Sequence, residues 1–189
     1  MSTMARPISP PRLLTAEEFC DLFDGQKVEL VRGIVEDVEM PKTGLHGKVC
    51  LRLGTAILNY ADERDCGHVM SNDTWIRTTR DPDSVRGPDL FFISYAQQPK
   101  GSVTEEMITG TPELVVEVSS PSDVKSKSLA KILEYFDAGV KVVIQVEPST
   151  KSVVVYRPDA TATTFAVGQS LEIPDVLPGF AVPVAKLFA

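Results

Sequence analysis

The sequence predicts a single α/β (α+β) domain in which helices pack on the faces of a mixed β-sheet. Short apolar and β-branched runs indicate strands, and segments with apolar residues every three or four positions indicate helices between them. A length of 189 residues, with 43% apolar and 24% charged residues, is typical of one globular domain with a sizeable core. We assign residues 13–189 to this domain and the proline-containing residues 1–12 to a flexible N-terminal arm.

The first third of the domain is predicted to contain two helices and a hairpin. Thr15 and Glu18 form a capping box, which predicts a short helix that ends near Phe23. Residues 27–31 and 34–40 flank a two-residue turn, as expected of a β-hairpin. A second, amphipathic helix is predicted by apolar residues at helical spacing, namely Leu45, Val49, Leu53, Ile57 and Tyr60.

The remaining strands and a third helix follow in order. Weak strand candidates at residues 69–70 and 74–78 precede stronger ones at residues 90–93, 114–118, 142–146 and 152–156. The connection at residues 99–112 is polar and rich in turn formers. Residues 120–123 offer caps for a helix that ends near Gly139 and whose apolar face consists of Leu129, Ile132, Leu133 and Phe136. A short tail from Leu171 completes the domain.

Composition and motifs exclude several functional classes. The formal net charge of −7 means that any nucleic acid would be contacted through a local basic patch rather than over the whole surface. Three cysteines without CxxC spacing support neither a disulfide framework nor a zinc knuckle, and two histidines are too few for a histidine-rich metal centre. Glycine-rich phosphate-binding motifs are missing as well, so nucleoside triphosphate or dinucleotide binding has no support.

The sequence gives no support for a membrane partner. Its apolar runs fall well short of the roughly 20 residues that a transmembrane helix needs. Residues 1–11 also lack the charged-then-apolar order of a signal peptide. We therefore expect a cytoplasmic location.

Two carboxylates occur in apolar runs where burial gives no reason for them. Asp89 follows Pro88 at the beginning of one run, and Glu117 lies near the end of another. If the two strands pair antiparallel, about 4.8 Å apart, both carboxylates lie at one end of the sheet and could share Mg2+ or Mn2+. Asp89 could instead cap a turn, and Glu117 could form a structural ion pair. Glu113 is left out because its position at a strand start suggests exposure.

A cation near such a pair would support hydrolysis of a phosphate ester, because it positions water and stabilises developing negative charge. The third helix supplies Lys125, Lys127 and Lys131. We select Lys131 because its stem could cross the core and bring the ammonium to Glu117, although a solvated helix flank is the competing interpretation. These lysines, with Arg77, Arg80 and Arg86, form the predicted local basic patch.

Several short motifs occur in order along most of the chain. They are residues 28–33 (VELVRG), His46, residues 85–90 (VRGPDL), residues 113–122 (ELVVEVSSPS), Lys131 with Tyr135, residues 139–140 (GV) and residues 146–148 (VEP). This ordered set resembles the Uma-type restriction-endonuclease-like family of the PD-(D/E)XK nuclease superfamily.

The resemblance implies a restriction-endonuclease-like core in which Asp89 and Glu117 bind Mg2+. It also implies that Lys131 replaces a lysine usually found two residues after the glutamate, where this chain has Ser119. Glu29 and His46 enter as accessory site residues on the same basis. From the residues alone, Glu29 is at least as well explained as a solvated strand-edge residue, and His46 as an ordinary hydrogen-bonded histidine.

The leading hypothesis is a metal-dependent endonuclease in which Asp89 and Glu117 hold Mg2+ or Mn2+ and Lys131 positions the water that attacks DNA. One alternative is a catalytically inactive nuclease fold with a binding or regulatory role, and another is a hydrolase of a different phosphoester. Because one centre cuts one strand, we also expect a homodimer, with residues 142–156 or the C-terminal tail at its interface.

Overall fold

The computed structural model describes residues 12–38, 43–71, 74–120 and 124–189. The predicted flexible arm therefore lies outside the described residues except for Arg12, whose guanidinium contacts the Glu18 carboxylate. The last residues predicted for the hairpin, 39–40, and the predicted helix caps Ser122 and Asp123 also lie outside them.

The chain order alternates helices and strands. The elements are α1 (Ala16–Phe23), β1 (Val28–Val31), β2 (Ile34–Asp37), α2 (Gly44–Arg64), β3 (Gly67–Ser71), β4 (Ile76–Thr79), β5 (Ser84–Arg86), β6 (Leu90–Ser94), β7 (Leu114–Val118), α3 (Lys125–Asp137), β8 (Val142–Glu147), β9 (Ser152–Tyr156), β10 (Ala162–Ala166), β11 (Ser170–Ile173), β12 (Leu177–Pro183) and α4 (Val184–Phe188). The Thr15 capping box opens α1 as predicted. Across the described ranges, every helix is too short or too polar to cross a bilayer.

Three sheets organise these strands. The largest has the order β10-β9-β8-β7-β6-β3, and among its neighbouring strands β7 and β8 run parallel while the other pairs are antiparallel. An antiparallel four-stranded sheet has the order β2-β1-β5-β4, and β11 pairs with β12. The predicted mixed-sheet α+β fold is confirmed.

Strand alternation decides which side chains meet the third helix. In β7, Val116 and Val118 join the core cluster that contains α2 and the C-terminal elements. Val115 points to the other face, where it packs in the cluster of Ile132 and Tyr135 from α3. Glu117 follows the same alternation as Val115, so its carboxylate is directed towards α3 rather than towards the C-terminal elements.

The buried face of α3 differs from the predicted one. Leu129 and Leu133 are 52% and 55% exposed, whereas Ile132 and Tyr135 are buried and Phe136 is partly buried. The prediction selected the most apolar stripe. Tyr135 can be buried instead because its hydroxyl finds an acceptor within the fold, and this turns the helix away from the leucine stripe.

The predicted short tail is wrong, because the C-terminal region forms two further strands and a helix of the core. β12 and α4 pack against α2. Their contribution to the main core comes from the buried residues Leu171, Ile173, Leu177, Phe180, Val182, Val184 and Leu187.

Residues 142–156, predicted as a possible dimer interface, do not form a sheet edge, since β8 lies between β7 and β9, and β9 is paired with β10. The homodimer stays a prediction. Neither β8 nor β9 has a free edge through which a second copy could extend the sheet.

Candidate functional site

Asp89 and Glu117 lie at the same end of the main sheet. β6 and β7 pair antiparallel with Leu90 opposite Val116, so the start of β6 meets the end of β7. The Asp89 carboxylate spans the two strands, because its Oδ2 accepts a hydrogen bond of 2.7 Å from the Val118 amide. The antiparallel pairing that the sequence argument required is therefore present.

Lys131 reaches this end of the sheet from α3. Its Nζ lies 3.0 Å from Glu117 Oε1 and 2.9 Å from Glu29 Oε1, and its side chain is 21% exposed. The competing interpretation of Lys131 as a solvated flank is wrong. Three residues that are far apart in sequence thus form one charged cluster between the two larger sheets.

Glu29 is a buried member of this cluster, with 7% exposure. It accepts hydrogen bonds from Arg86 Nη1 at 2.9 Å and from the Gly87 amide at 3.1 Å, in addition to its contact with Lys131. Its strand β1 lies between β2 and β5 rather than at an edge. The interpretation of Glu29 as a solvated strand-edge residue is therefore wrong.

Arg86 connects Glu29 to a residue that the sequence analysis missed. Its Nε donates to Glu134 Oε1 at 2.9 Å, its Nη2 donates to Glu134 Oε2, and the Thr78 hydroxyl contacts the same carboxylate. The spacing of Lys131 and Glu134, three residues apart on α3, is the signal that could have placed both on one face. Arg86 is thus an internal ion-pair partner rather than part of an open basic patch.

The rest of the predicted basic patch divides in the same way. Arg77 forms ion pairs with Glu17 and Asp83, and its side chain is 14% exposed. Arg80, Lys125 and Lys127 are exposed. These three side chains are the part of the predicted patch that faces solvent.

Tyr135 holds the Glu117 carboxylate in place through a hydrogen bond. Its hydroxyl donates a hydrogen bond of 2.7 Å to Glu117 Oε1, and the side chain is fully buried. Glu117 Oε1 therefore receives both the Tyr135 hydroxyl and the Lys131 ammonium. The family resemblance included Tyr135 beside Lys131 but assigned it no role. The geometry shows that Tyr135 supports the Glu117 carboxylate.

His46 contacts Asp89 from the first turn of α2. Its Nε2 lies 3.3 Å from Asp89 Oδ1, and its Nδ1 lies 3.5 Å from the Cys50 sulfur. The sequence analysis gave Cys50 no role. Its position one helical turn after His46 is the signal that links the two side chains.

Two further expectations concern polar residues of β7 and its flanks. Glu113 is buried at 8% exposure, not exposed, and it accepts hydrogen bonds from the Ser94 amide and hydroxyl at 2.9 and 2.6 Å. It takes no part in the cluster around Lys131. Ser119, at the usual lysine position, accepts from Gln145 Nε2 at 2.9 Å and donates to Glu147 at 2.8 Å.

Burial and neighbouring charges set the protonation of the cluster. Burial raises the pKa of Glu117, and the Asp89 charge adds to this effect while Lys131 opposes it. Burial also disfavours ionised Glu29, but Lys131 and Arg86 together hold its pKa below the usual value. Burial disfavours the charged form of Lys131 too, yet Glu117 and Glu29 keep its pKa above the ordinary range. The hydrogen bond to Asp89 raises the pKa of His46 to about 10.

Asp89 and Glu117 offer carboxylate oxygens of the kind that suit a hard divalent cation. Glu29, Asp89, Glu117 and Glu134 supply four carboxylates, whereas Arg86 and Lys131 supply the permanent positive charges. The negative charge therefore exceeds the positive charge even when His46 is protonated. Carboxylate oxygens are the ligands that Mg2+ and Mn2+ prefer.

Comparison with known proteins identifies the family. Residues 16–185 match the family model Uma2, described as "Putative restriction endonuclease". The fold is similar to the crystal structure of a putative nuclease belonging to DUF820 from Anabaena variabilis ATCC 29413, with a TM-score of 0.79, 18% identity, and coverage of 93% of this chain and 97% of that chain. No curated protein matches the chain. Because the family model covers most of its length, the chain belongs to the Uma2 family.

Proposed function

We propose that this protein is a metal-dependent nuclease that hydrolyses DNA phosphodiester bonds. The observation that carries the proposal is the convergence of Asp89, Glu117 and Lys131 at one end of the main sheet. Family membership and a nuclease-like fold support it independently. Asp89 and Glu117 are the proposed ligands of Mg2+ or Mn2+, and Glu29 and His46 are accessory residues that contact Lys131 and Asp89 respectively.

A bound ion would polarise the scissile phosphate and lower the pKa of a coordinated water. Asp89 Oδ2 is held by the Val118 amide, and Glu117 Oε1 is held by Tyr135 and Lys131. These contacts orient both carboxylates before any ligand arrives. Preorganised ligands of this kind lose little freedom on binding, which favours a defined position of the substrate phosphate.

Lys131 is proposed to position the attacking water rather than to remove its proton. Its pKa is raised, so it stays an ammonium and can act only as a donor. Two of its three N–H groups account for the contacts with Glu29 and Glu117. We assign the remaining N–H to the water, next to the carboxylates that would hold the metal.

Arg80, Lys125 and Lys127 are proposed to contact the phosphate backbone. All three are exposed, and Lys125 and Lys127 lie in the first turn of the helix that carries Lys131. Contacts of this type are largely independent of sequence and weaken as salt increases. They would place an anionic strand beside the site despite the overall acidic charge.

The test is cleavage of plasmid DNA and short duplexes in Mg2+ or Mn2+, with EDTA as the metal-free control. We expect Asp89→Ala, Glu117→Gln and Lys131→Ala each to reduce the rate by at least about 100-fold. Lys141→Ala is the matched control, because Lys141 is exposed and lies just beyond the same helix. Unchanged cleavage in the site variants would assign the activity to a contaminant and refute the proposal.

The inactive, binding-only alternative is favoured by the net charge of −7, which repels DNA outside the local patch. Calorimetry separates the two functions. Binding of Mg2+ or Mn2+ that Glu117→Gln abolishes supports the nuclease. Failure of both ions to bind at millimolar concentration supports the alternative. A panel of small phosphodiesters would reveal a hydrolase with another substrate.

A further inference from the structure

A second group of potential metal ligands shares Asp89 with the proposed nuclease site but includes neither Glu117 nor Lys131. His46, Cys50 and Asp89 each offer one ligand atom, and these atoms all lie within 4.8 Å of one another. His46 and Cys50 come from successive turns of α2, and Asp89 comes from the segment entering β6. The cluster therefore joins a helix to the same sheet end that carries the proposed hard-metal site.

The chemistry of this group differs from that of the carboxylates. A thiolate, an imidazole and one carboxylate form a donor set typical of Zn2+ and related transition metals, whereas Mg2+ takes oxygen ligands. Zinc bonds of about 2.0–2.3 Å place tetrahedral ligand atoms about 3.3–3.6 Å apart. In the structure, His46 Nε2 lies 3.3 Å from Asp89 Oδ1 and His46 Nδ1 lies 3.5 Å from Cys50 Sγ, whereas the three atoms that one ion would take lie within 4.8 Å of one another.

The imidazole presents a different nitrogen to each partner. A single ion takes one ring nitrogen, so the third ligand must reach it by a side-chain rotation. Cys50 is only half-buried and the Asp89 side chain is 23% exposed, which leaves both room to turn. Three protein ligands leave a fourth position open to water.

We propose that His46, Cys50 and Asp89 bind Zn2+ or a chemically similar transition metal, and that this ion competes with Mg2+ or Mn2+ for Asp89. The predicted competition for Asp89 rests on the proposed function. Asp89 is the shared residue: its Oδ2 is held by the Val118 amide, and its Oδ1 faces His46. A transition metal bound to His46 and Cys50 would draw the Asp89 carboxylate away from Glu117.

The first experiment titrates the metal-free full chain with Co2+, a spectroscopic substitute for Zn2+. A cysteine ligand gives a sulfur-to-cobalt charge-transfer band in the near ultraviolet, which oxygen sites do not produce. We expect the band in the wild type and its loss in Cys50→Ser. Cys66→Ser is the matched control, since Cys66 is also half-buried but lies beyond the other end of α2. A band that survives Cys50→Ser would overturn the proposal.

Calorimetry with Zn2+ supplies an independent measurement. We expect Cys50→Ser and His46→Asn to weaken Zn2+ binding by at least about 100-fold, with circular dichroism establishing that both variants are folded. Equal Zn2+ affinity in the wild type and both folded variants would also overturn the proposal.

A double comparison separates this site from the proposed nuclease site. Glu117→Gln should lose Mn2+ binding, measured by electron paramagnetic resonance, and keep the Co2+ thiolate band. Cys50→Ser should keep Mn2+ binding and lose the Co2+ thiolate band. Zn2+ should displace Mn2+ from the wild type at a much lower concentration than from Cys50→Ser, because Zn2+ outcompetes Mn2+ at carboxylates only by its ordinary preference. Zn2+ binding without Mn2+ displacement would refute the competition, and a thiolate band in a protein that cleaves no DNA would refute only the nuclease.

Discussion

Replacing Lys131 with methionine tests whether the charged cluster holds the fold as well as the site. Methionine keeps most of the aliphatic stem and removes the ammonium, which contacts Glu29 at 2.9 Å and Glu117 at 3.0 Å. Breaking a buried ion pair by removing one partner costs about 3–5 kcal/mol. Two features lower this cost: Glu29 keeps Arg86, and Glu117 can take up a proton.

We therefore expect Lys131→Met to reduce the free energy of unfolding by about 2–3 kcal/mol near pH 8. For a chain of this size, that corresponds to a fall in Tm of about 4–12 °C. Urea unfolding in EDTA measures the free energy, and Lys141→Met is the exposed control, expected to stay within about 0.5 kcal/mol of the wild type.

The pH dependence gives the sharper test. The folded-state pKa of Glu117 lies above its ordinary value, so ionisation of this carboxyl costs stability as the pH rises. Loss of Lys131 enlarges that cost, because the ammonium is the main group opposing it. The difference between wild type and variant should therefore shrink as the pH falls from about 8 to about 5. A difference that is constant or grows over this range would refute the reasoning.

Three further substitutions test individual contacts by urea unfolding. Tyr135→Phe removes the donor 2.7 Å from Glu117 and should cost about 1 kcal/mol; no loss of stability would deny Tyr135 its supporting role. Glu134→Gln weakens the paired hydrogen bonds from Arg86 and should cost about 2 kcal/mol, whereas a neutral result would mean that Arg86 is satisfied by Glu29 alone. Thr15→Ala removes the cap of α1 and should cost about 1 kcal/mol, and an unchanged midpoint would argue against the capping box.

The main strands, and the placement of Asp89 and Glu117 at one end of the sheet, could be predicted because both depend on local patterns. Alternation along β7 fixes the face of Glu117, and antiparallel pairing brings the start of β6 to its end. The parallel pairing of β7 and β8 requires a crossover, which places α3 against the sheet, although the helix face that turns inward was not predicted correctly. These inferences need no knowledge of distant side chains.

The parts that the sequence did not predict depend on tertiary contacts. Helical spacing could link Glu134 to Lys131 and Cys50 to His46, but the contacts of these residues with Arg86 and Asp89 depend on the tertiary fold. β10 is mostly exposed and carries no apolar alternation, so it resembles a loop. Leu129 and Leu133 were predicted to be buried but are exposed. Apolar periodicity favoured them over Tyr135, because it does not show that the Tyr135 hydroxyl finds an acceptor in the core.

The contact between Lys131 and Glu29 joins positions 102 residues apart. Together with the link from Arg86 to Glu134, it fastens the small N-terminal sheet to the helix that covers the main one. The charges proposed to act in catalysis therefore also hold the two sheets together. We expect alanine variants at these positions to weaken the contact between the two sheets. Loss of activity in such a variant can be assigned to chemistry only if its amide hydrogen exchange in this region matches that of the parent protein.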